Sequence, residues 1–166
     1  MMNINFGKFI DDYKVIYFLG LSEKIVPLLS ERREHYVAMD VLDSCWKWVN
    51  HRKHSGEYFY KLLYHEDSGM TVIQEFFEDG KERSAWDCII YAVAYTCRKA
   101  YEYDMETHFP EPIDSVDDSI IEGFMDCFNN CIENGEEYIK KLDVFLSENE
   151  LDFKEEWRNE VLKRIK

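Results

Sequence analysis

The chain has 166 residues and a formal net charge of −14, and 46% of its residues are hydrophobic. This length suits one domain, and the apolar content excludes a disordered chain. The seven glycines and three prolines are too few for a turn-rich β sandwich. The N-terminus lacks the pattern of a signal peptide, and the longest apolar run, 88–95, is too short to span a membrane. We therefore expect a single cytoplasmic domain covering 1–166.

Apolar residues recur at helical spacing through the first half of the chain. They predict one or two helices near the start, with a kink or break at Pro27, because proline removes a backbone hydrogen bond. A longer helix over 35–51 and a shorter one from Gly56 to about 65 follow. The segment 70–77 has β-branched residues that suit a strand, but a lone strand would lack a partner, so a helix is favoured.

The strongest predicted element covers 84–103 and is apolar on nearly every side, which is typical of a central buried helix. Ser84 and Asp87 resemble a capping box at its start. A loop over 104–115 follows, and Ser115 is expected to cap a helix that ends near Glu133.

Two more amphipathic helices complete the chain. Their apolar residues are Tyr138, Leu142, Phe145 and Leu146 in the first, and Phe153, Trp157, Val161, Leu162 and Ile165 in the second. The pattern predicts an all-α, single-domain bundle of about seven to eight helices around the central helix at about 84–103.

Negative charge is concentrated in residues 100–139, which we call the acidic segment. The segment contains no lysine or arginine, and it leaves a charge of only −2 for the other 126 residues. A concentrated negative region attracts cationic surfaces and repels nucleic-acid phosphates. Its twelve carboxylates are Glu102, Asp104, Glu106, Glu111, Asp114, Asp117, Asp118, Glu122, Asp126, Glu133, Glu136 and Glu137.

Some of these acids have a structural explanation, because carboxylates in the first turn of a helix are stabilised by the helix dipole. Asp117, Asp118, Glu136 and Glu137 occupy such predicted positions. General acidity for solubility could explain others.

The remaining acids oppose local stability. Acids at the C-terminal end of the central helix are repelled by the negative end of its dipole. Like charges at i,i+4, such as Asp118 and Glu122, lower helix stability by about 0.2–0.5 kcal/mol. We therefore predict that a cationic partner binds there, with aromatic anchors supplying affinity and charges supplying the association rate. The predicted contact residues are Asp104, Glu106, His108, Phe109, Glu111, Asp114, Asp118, Glu122 and Asp126.

Motifs for catalysis are missing from the sequence. No histidine has the Glu-x-x-His spacing of a di-iron bundle, and His51 and His54 lack a further ligand nearby. Five cysteines without a CxxC pair argue against a disulfide framework, and those on apolar helices are expected to be buried free thiols rather than a metal site. The sequence therefore predicts a non-enzyme without a catalytic, metal or cofactor site.

Four short stretches occur in an order that resembles a bacterial immunity-protein family. They are CWKW at 45–48, SAWD at 84–87, AYTCRKAY at 94–101 and PEPID at 110–114. Over roughly 20–145 the chain resembles immunity family six of the polymorphic toxin systems. The resemblance implies a mostly helical protein that neutralises a cognate secreted or contact-delivered toxin made by the same cell. Such toxins are often nucleases, whose nucleic-acid surfaces are cationic.

Two other classes remain open at this level. An acidic DNA mimic that inhibits a defence or restriction enzyme would need acids spaced like phosphates on an elongated face. An all-α enzyme would need a deep pocket with converging histidines and carboxylates. Trp46 lies off the apolar stripe of its helix, so either a monomer or a weak homodimer is compatible with the pattern.

Overall fold

The computed structural model describes residues 6–30, 32–149 and 156–166, and within these ranges the chain forms helices and connecting loops without a strand. The predicted all-α class is therefore confirmed. The α-helices of the described part are α1 (Asp11–Ile25), α2 (Glu34–His51), α3 (Gly56–Tyr64), α4 (Met70–Gln74), α5 (Lys81–Tyr103), α6 (Glu111–Asp114), α7 (Ile120–Cys131), α8 (Gly135–Glu148) and α9 (Trp157–Arg164). Short 3-10 helices cover Phe6–Lys8 and Val26–Leu29.

The centre of the bundle is α5, as predicted. It contacts α1, α2, α3, α4, α6 and α7, and its 23 residues give a length of about 34 Å. Trp86 and Tyr95 are fully buried on it. The Trp86 indole donates a hydrogen bond to the Met70 carbonyl at 3.0 Å, which satisfies its polar atom inside the core. Because α5 is held on all sides, its C-terminal end has a fixed position against the other helices.

The start of α5 differs from the prediction. The helix begins at Lys81 after Gly80, whose φ of +145° is readily adopted by glycine, so Ser84 lies inside the first turns. The predicted capping box is therefore wrong. Asp87 instead accepts a hydrogen bond from Gln74 Nε2 at 2.6 Å, which ties α5 to α4, and one from Arg83 Nε on α5 itself at 3.2 Å.

The region after α5 also differs in detail. The predicted loop contains the one-turn helix α6, and α7 begins at Ile120 rather than just after Ser115. Ser115 Oγ donates to the Pro112 carbonyl instead of capping a helix. Asp117 accepts from the backbone N–H of Ser119 at 2.8 Å, so it shapes the turn that precedes α7.

Other predicted elements are confirmed. The α-helix breaks next to Pro27, since α1 ends at Ile25 and a 3-10 helix that contains Pro27 follows. The segment predicted over 70–77 is helical rather than a strand, but the helix covers only 70–74. The last two predicted helices correspond to α8 and α9, with Phe153 outside the described residues. The described part has nine α-helices rather than seven to eight, because the four-residue helix α6 is too short to show a helical period. None of the described helices combines the length and the apolar character needed to cross a membrane.

Trp46 packs within its own chain. Its side chain is buried, and its indole N–H donates to Glu23 Oε1 at 2.9 Å. The same carboxylate oxygen lies 2.9 Å from Arg158 Nε, so α1, α2 and α9 meet at this point. Trp46 therefore gives no support to a homodimer.

Candidate interaction surface

The acidic segment begins at the end of α5 and continues through α6, α7 and the first turn of α8. Of its twelve carboxylates, three lie within ion-pair distance of a cation in the described part of the chain: Glu102, Asp118 and Glu137. The other nine are all exposed and have no cationic partner among the described residues. They are Asp104, Glu106, Glu111, Asp114, Asp117, Glu122, Asp126, Glu133 and Glu136. We call them the unpaired acids.

The structure places seven of the nine predicted contact residues in the solvent. Two are half-buried and have contacts within the chain, and Phe109 is the first. Its ring lies 4.0 Å from the Arg98 guanidinium carbon and 5.9 Å from the Tyr101 ring. Phe109 therefore helps to fix the loop over 104–115, which we call the acidic loop, on α5.

Asp118 is the second half-buried residue. It accepts a hydrogen bond from Lys14 Nζ at 2.6 Å and from the Tyr95 hydroxyl at 2.8 Å. The Lys14 side chain is only 12% exposed, so this pair fastens the start of α7 to α1 and α5. Burial acts to raise the pKa of Asp118, but the hydrogen bonds from Lys14 and Tyr95 outweigh it and hold that pKa below its usual value.

This lowered pKa gives Asp118 a pH-dependent part in stability. A carboxylate with a depressed folded-state pKa stabilises the fold above its unfolded pKa of about 3.9, and the contribution is lost as the pH falls through the folded value. We expect Asp118→Asn to lower the unfolding free energy at pH 7 by about 1 kcal/mol, because a half-exposed ion pair is screened by solvent. Urea denaturation should show that the difference shrinks below about pH 4. Glu122→Gln, at an exposed site, is the control; it should not lower the unfolding free energy at either pH and should raise it at pH 7 by at most about 0.5 kcal/mol, because it relieves the repulsion between neighbouring acids.

Arg98, on α5, binds the backbone of the acidic loop. Its Nε donates to Glu102 at 3.0 Å, and its Nη1 donates to the carbonyls of Ile113 and Asp114 at 3.3 and 3.0 Å. Lys99 lies 3.2 Å from both Asp11 and Glu102. Cations from outside the segment thus orient its backbone while leaving most of its carboxylates free to meet another molecule.

Sequence reasoning missed two exposed apolar residues beside these acids. Tyr103 is 57% exposed and Met105 is 85% exposed, at the very end of α5. The only signal in the sequence was an apolar residue placed between Asp104 and Glu106. An apolar side chain between two acids in a loop lacks a solubility role and is therefore a feature of interest.

The cysteines are free, as expected. Four of them, Cys45, Cys88, Cys97 and Cys131, are buried among apolar side chains, while Cys127 is half-buried. Burial raises the pKa of Cys45 to about 12, so its thiol stays protonated at neutral pH. No group of three or more histidine, cysteine, aspartate or glutamate side chains in the described ranges is arranged to bind a metal ion.

A rigid helical scaffold that displays unpaired acids has the features of a protein-binding domain. The family model described as Immunity protein Imm6 matches residues 13–131, and the chain belongs to this family. The resemblance to immunity family six is thereby confirmed, and the chain is a toxin immunity protein. The match runs from α1 through α7 and includes most of the acidic segment. Comparisons with curated proteins and with solved structures gave no match.

Proposed function

We propose that this immunity protein neutralises its cognate toxin by covering the active site or substrate groove with the acidic segment, and that the toxin is a nuclease. The observation that carries this proposal is the set of nine unpaired acids. A nuclease must bind phosphates, so its substrate surface is cationic and complementary to such a set. The protein would act by binding alone, without catalysis or a cofactor, from within the cytoplasm of the cell that makes the toxin.

The acids on α7 support this proposal. Glu122 and Asp126 are one helical turn apart, and both are exposed without a cation among the described residues. Their repulsion lowers helix stability by about 0.2–0.5 kcal/mol. A lysine or arginine of the toxin placed between them would attract both carboxylates and offset their repulsion. Glu111 and Asp114, exposed on α6, would extend the same surface.

The proposed mechanism divides the predicted contact residues by their surroundings. Exposed acids can pair with toxin cations without losing internal contacts. Asp118 and Phe109 are already engaged by Lys14 and Arg98, so we expect them to support the surface more than to touch the toxin. A complex of standard size would bury about 1,600 Å² in total, enough to cover a substrate groove.

Charge reversal tests this proposal. The binding probe is the cognate toxin domain, which we expect to be the C-terminal domain of a secreted protein encoded immediately upstream of the immunity gene. We call it the upstream toxin domain. Asp114→Lys with Glu122→Lys should weaken its binding at least about tenfold, because two attractive contacts become repulsive. The thermal midpoint should stay unchanged, since both side chains are exposed. Titration calorimetry and thermal unfolding measure the two quantities.

The matched control makes the same change in charge elsewhere. Glu66 and Asp67 are exposed in the loop after α3, outside the acidic segment. Glu66→Lys with Asp67→Lys alters the net charge equally and should leave the affinity within about twofold of the wild type. Equal weakening in both double variants would mean that total charge matters and the location of the acids does not, which would contradict the proposed surface.

A further inference from the structure

The end of α5 carries an exposed apolar site with a defined shape. Met105 has the highest exposure of any large apolar side chain among the described residues, and Tyr103 is also more than half exposed. An exposed apolar side chain contributes no burial free energy in the free protein. When a partner covers it, the removal of its surface from water favours the complex. Residues of these types are enriched at the centres of protein interfaces.

The Tyr103 ring is held in place from below. The Arg52 guanidinium carbon lies 4.9 Å from the Tyr103 ring centre and 4.3 Å from the Trp48 ring centre. Arg52 Nη2 also donates to both carboxylate oxygens of Asp12, at 2.7 and 2.8 Å. The ring centres of Trp48 and Tyr103 lie 6.3 Å apart, and the two ring planes are perpendicular. Tyr103 is thus preorganised, which lowers the entropy lost on binding.

Residues with a positive φ lie close in sequence to both partners of the contact between Arg52 and Tyr103. In the described residues, four non-glycine residues have positive φ, and three of them are Arg52 at +54°, His54 at +80° and Met105 at +61°. They lie in the two segments that meet where Arg52 touches Tyr103. Strain of this kind is often found at functional sites. Glycine or asparagine would fit position 105 more easily, so the fold holds the methionine side chain there against its local preference.

Acids surround these apolar side chains. Asp104 and Glu106 flank Met105 in the chain and are exposed. Lys99, one turn before Tyr103 on α5, pairs with Asp11, and the neighbouring Ile10 is 58% exposed. An apolar centre with a polar rim is the usual anatomy of a protein interface. The negative rim and the net charge of −14 select a cationic partner and oppose a second copy of this chain.

We propose that Tyr103 and Met105 form the apolar anchor of the toxin-binding surface and insert into a pocket on the cationic face of the toxin. We call these two residues the apolar anchor. The inference rests on the proposed function for the identity of the occupant. It replaces Phe109 as the main anchoring residue, because Phe109 is covered by Arg98.

A paired substitution tests the anchor with an internal control. Tyr103→Ala with Met105→Ala should raise the dissociation constant for the upstream toxin domain at least about thirtyfold, as expected for interface hot spots. The control is Tyr36→Ala with Met39→Ala, which removes the same two residue types from exposed positions at the other end of α2. Sixteen residues of helix separate Tyr36 from Arg52, or about 24 Å. The control should bind within about twofold of the wild type.

Met105→Gly separates binding from stability. Glycine adopts positive φ without strain, so the thermal midpoint should rise or stay unchanged while the dissociation constant rises about tenfold. A residue with a merely structural role would not show this combination. If the wild type binds but Tyr103→Ala with Met105→Ala and Met105→Gly both retain full affinity, the anchor is overturned and the proposed function stands. A wild-type protein that does not bind the upstream toxin domain at all overturns both.

Discussion

Association with the upstream toxin domain is expected to slow by about 10- to 1,000-fold when the ionic strength rises from about 0.01 M to about 1 M. The screening length falls from about 30 Å to about 3 Å over this range, so the acids no longer attract the toxin before contact. The effect should be large because nine of the twelve acids of the segment are exposed and without a cationic partner among the described residues. Stopped-flow fluorescence at several salt concentrations would measure the rate constant.

The dissociation rate should change much less with salt. Contacts of the apolar anchor are already formed in the complex and are insensitive to screening, whereas encounter depends on the long-range field. The variant Asp114→Lys with Glu122→Lys should show a shallower salt dependence of association than the wild type. An association rate that is equal at low and physiological salt would count against electrostatic capture, even if the complex itself is tight.

The bundle could be predicted from the sequence because its helices are long and amphipathic. The apolar residues of α5 recur on every side over more than five turns, a pattern that only a buried helix accommodates. Helix ends were less predictable. Gly80 begins α5 a turn earlier than the serine signal suggested, and Asp117 organises a turn at a position that also suits the first turn of a helix. Each local sequence is compatible with two positions of the helix start, and the packing of the folded chain selects one of them.

The charge on the candidate surface was predictable, and its internal ion pairs were not. A segment without lysine or arginine can form i,i+4 ion pairs only at its two ends, as Arg98 with Glu102 and Lys141 with Glu137 do. The exposure of the acids between these ends therefore follows from the sequence. The partner of Asp118 is Lys14, 104 residues earlier in the chain. Sequence spacing carries no information about such a contact. The same holds for Arg98 over Phe109, which converts a predicted anchor into a support for the loop.

The apolar anchor depends on the packing of three distant segments. Asp12 on α1, Arg52 after α2 and Tyr103 on α5 meet only in the folded chain. Each of these residues has an ordinary explanation when it is considered alone. Their joint geometry, with the positive φ of Arg52 and Met105, distinguishes this place from other exposed apolar residues such as Phe76.

Arg52→Ala is expected to lower the unfolding free energy by about 2–3 kcal/mol. The change removes the ion pair in which Arg52 Nη2 donates to both carboxylate oxygens of Asp12, whose side chain is only 14% exposed and would keep its charge without this partner. It also removes hydrogen bonds to the Trp48 and Val49 carbonyls at the end of α2. The pair is partly solvated, so the loss is smaller than the 3–5 kcal/mol of a fully buried pair. The thermal midpoint should fall by roughly 5–10 °C.

Two companion variants identify which interaction is responsible. Arg52→Lys keeps the charge but loses the Nη1 hydrogen bonds to the Trp48 and Val49 carbonyls and the stacking on Trp48 and Tyr103, so it should retain less than half of the stabilisation. Arg33→Ala, at an exposed position before α2, should change stability by less than about 0.5 kcal/mol. Urea denaturation gives the three free energies. A lysine variant as stable as the wild type would show that charge alone is sufficient.

Arg52→Gly connects this stability to toxin binding. Glycine relieves the positive φ at position 52, so this variant should be about 1 kcal/mol more stable than Arg52→Ala. Neither variant supports the Tyr103 ring, and both should therefore bind the upstream toxin domain equally weakly despite their different stabilities. If affinity instead followed stability across the two variants, Arg52 would act on the fold as a whole. If both variants bound as tightly as the wild type, Trp48 and α5 alone would hold Tyr103 in its binding position.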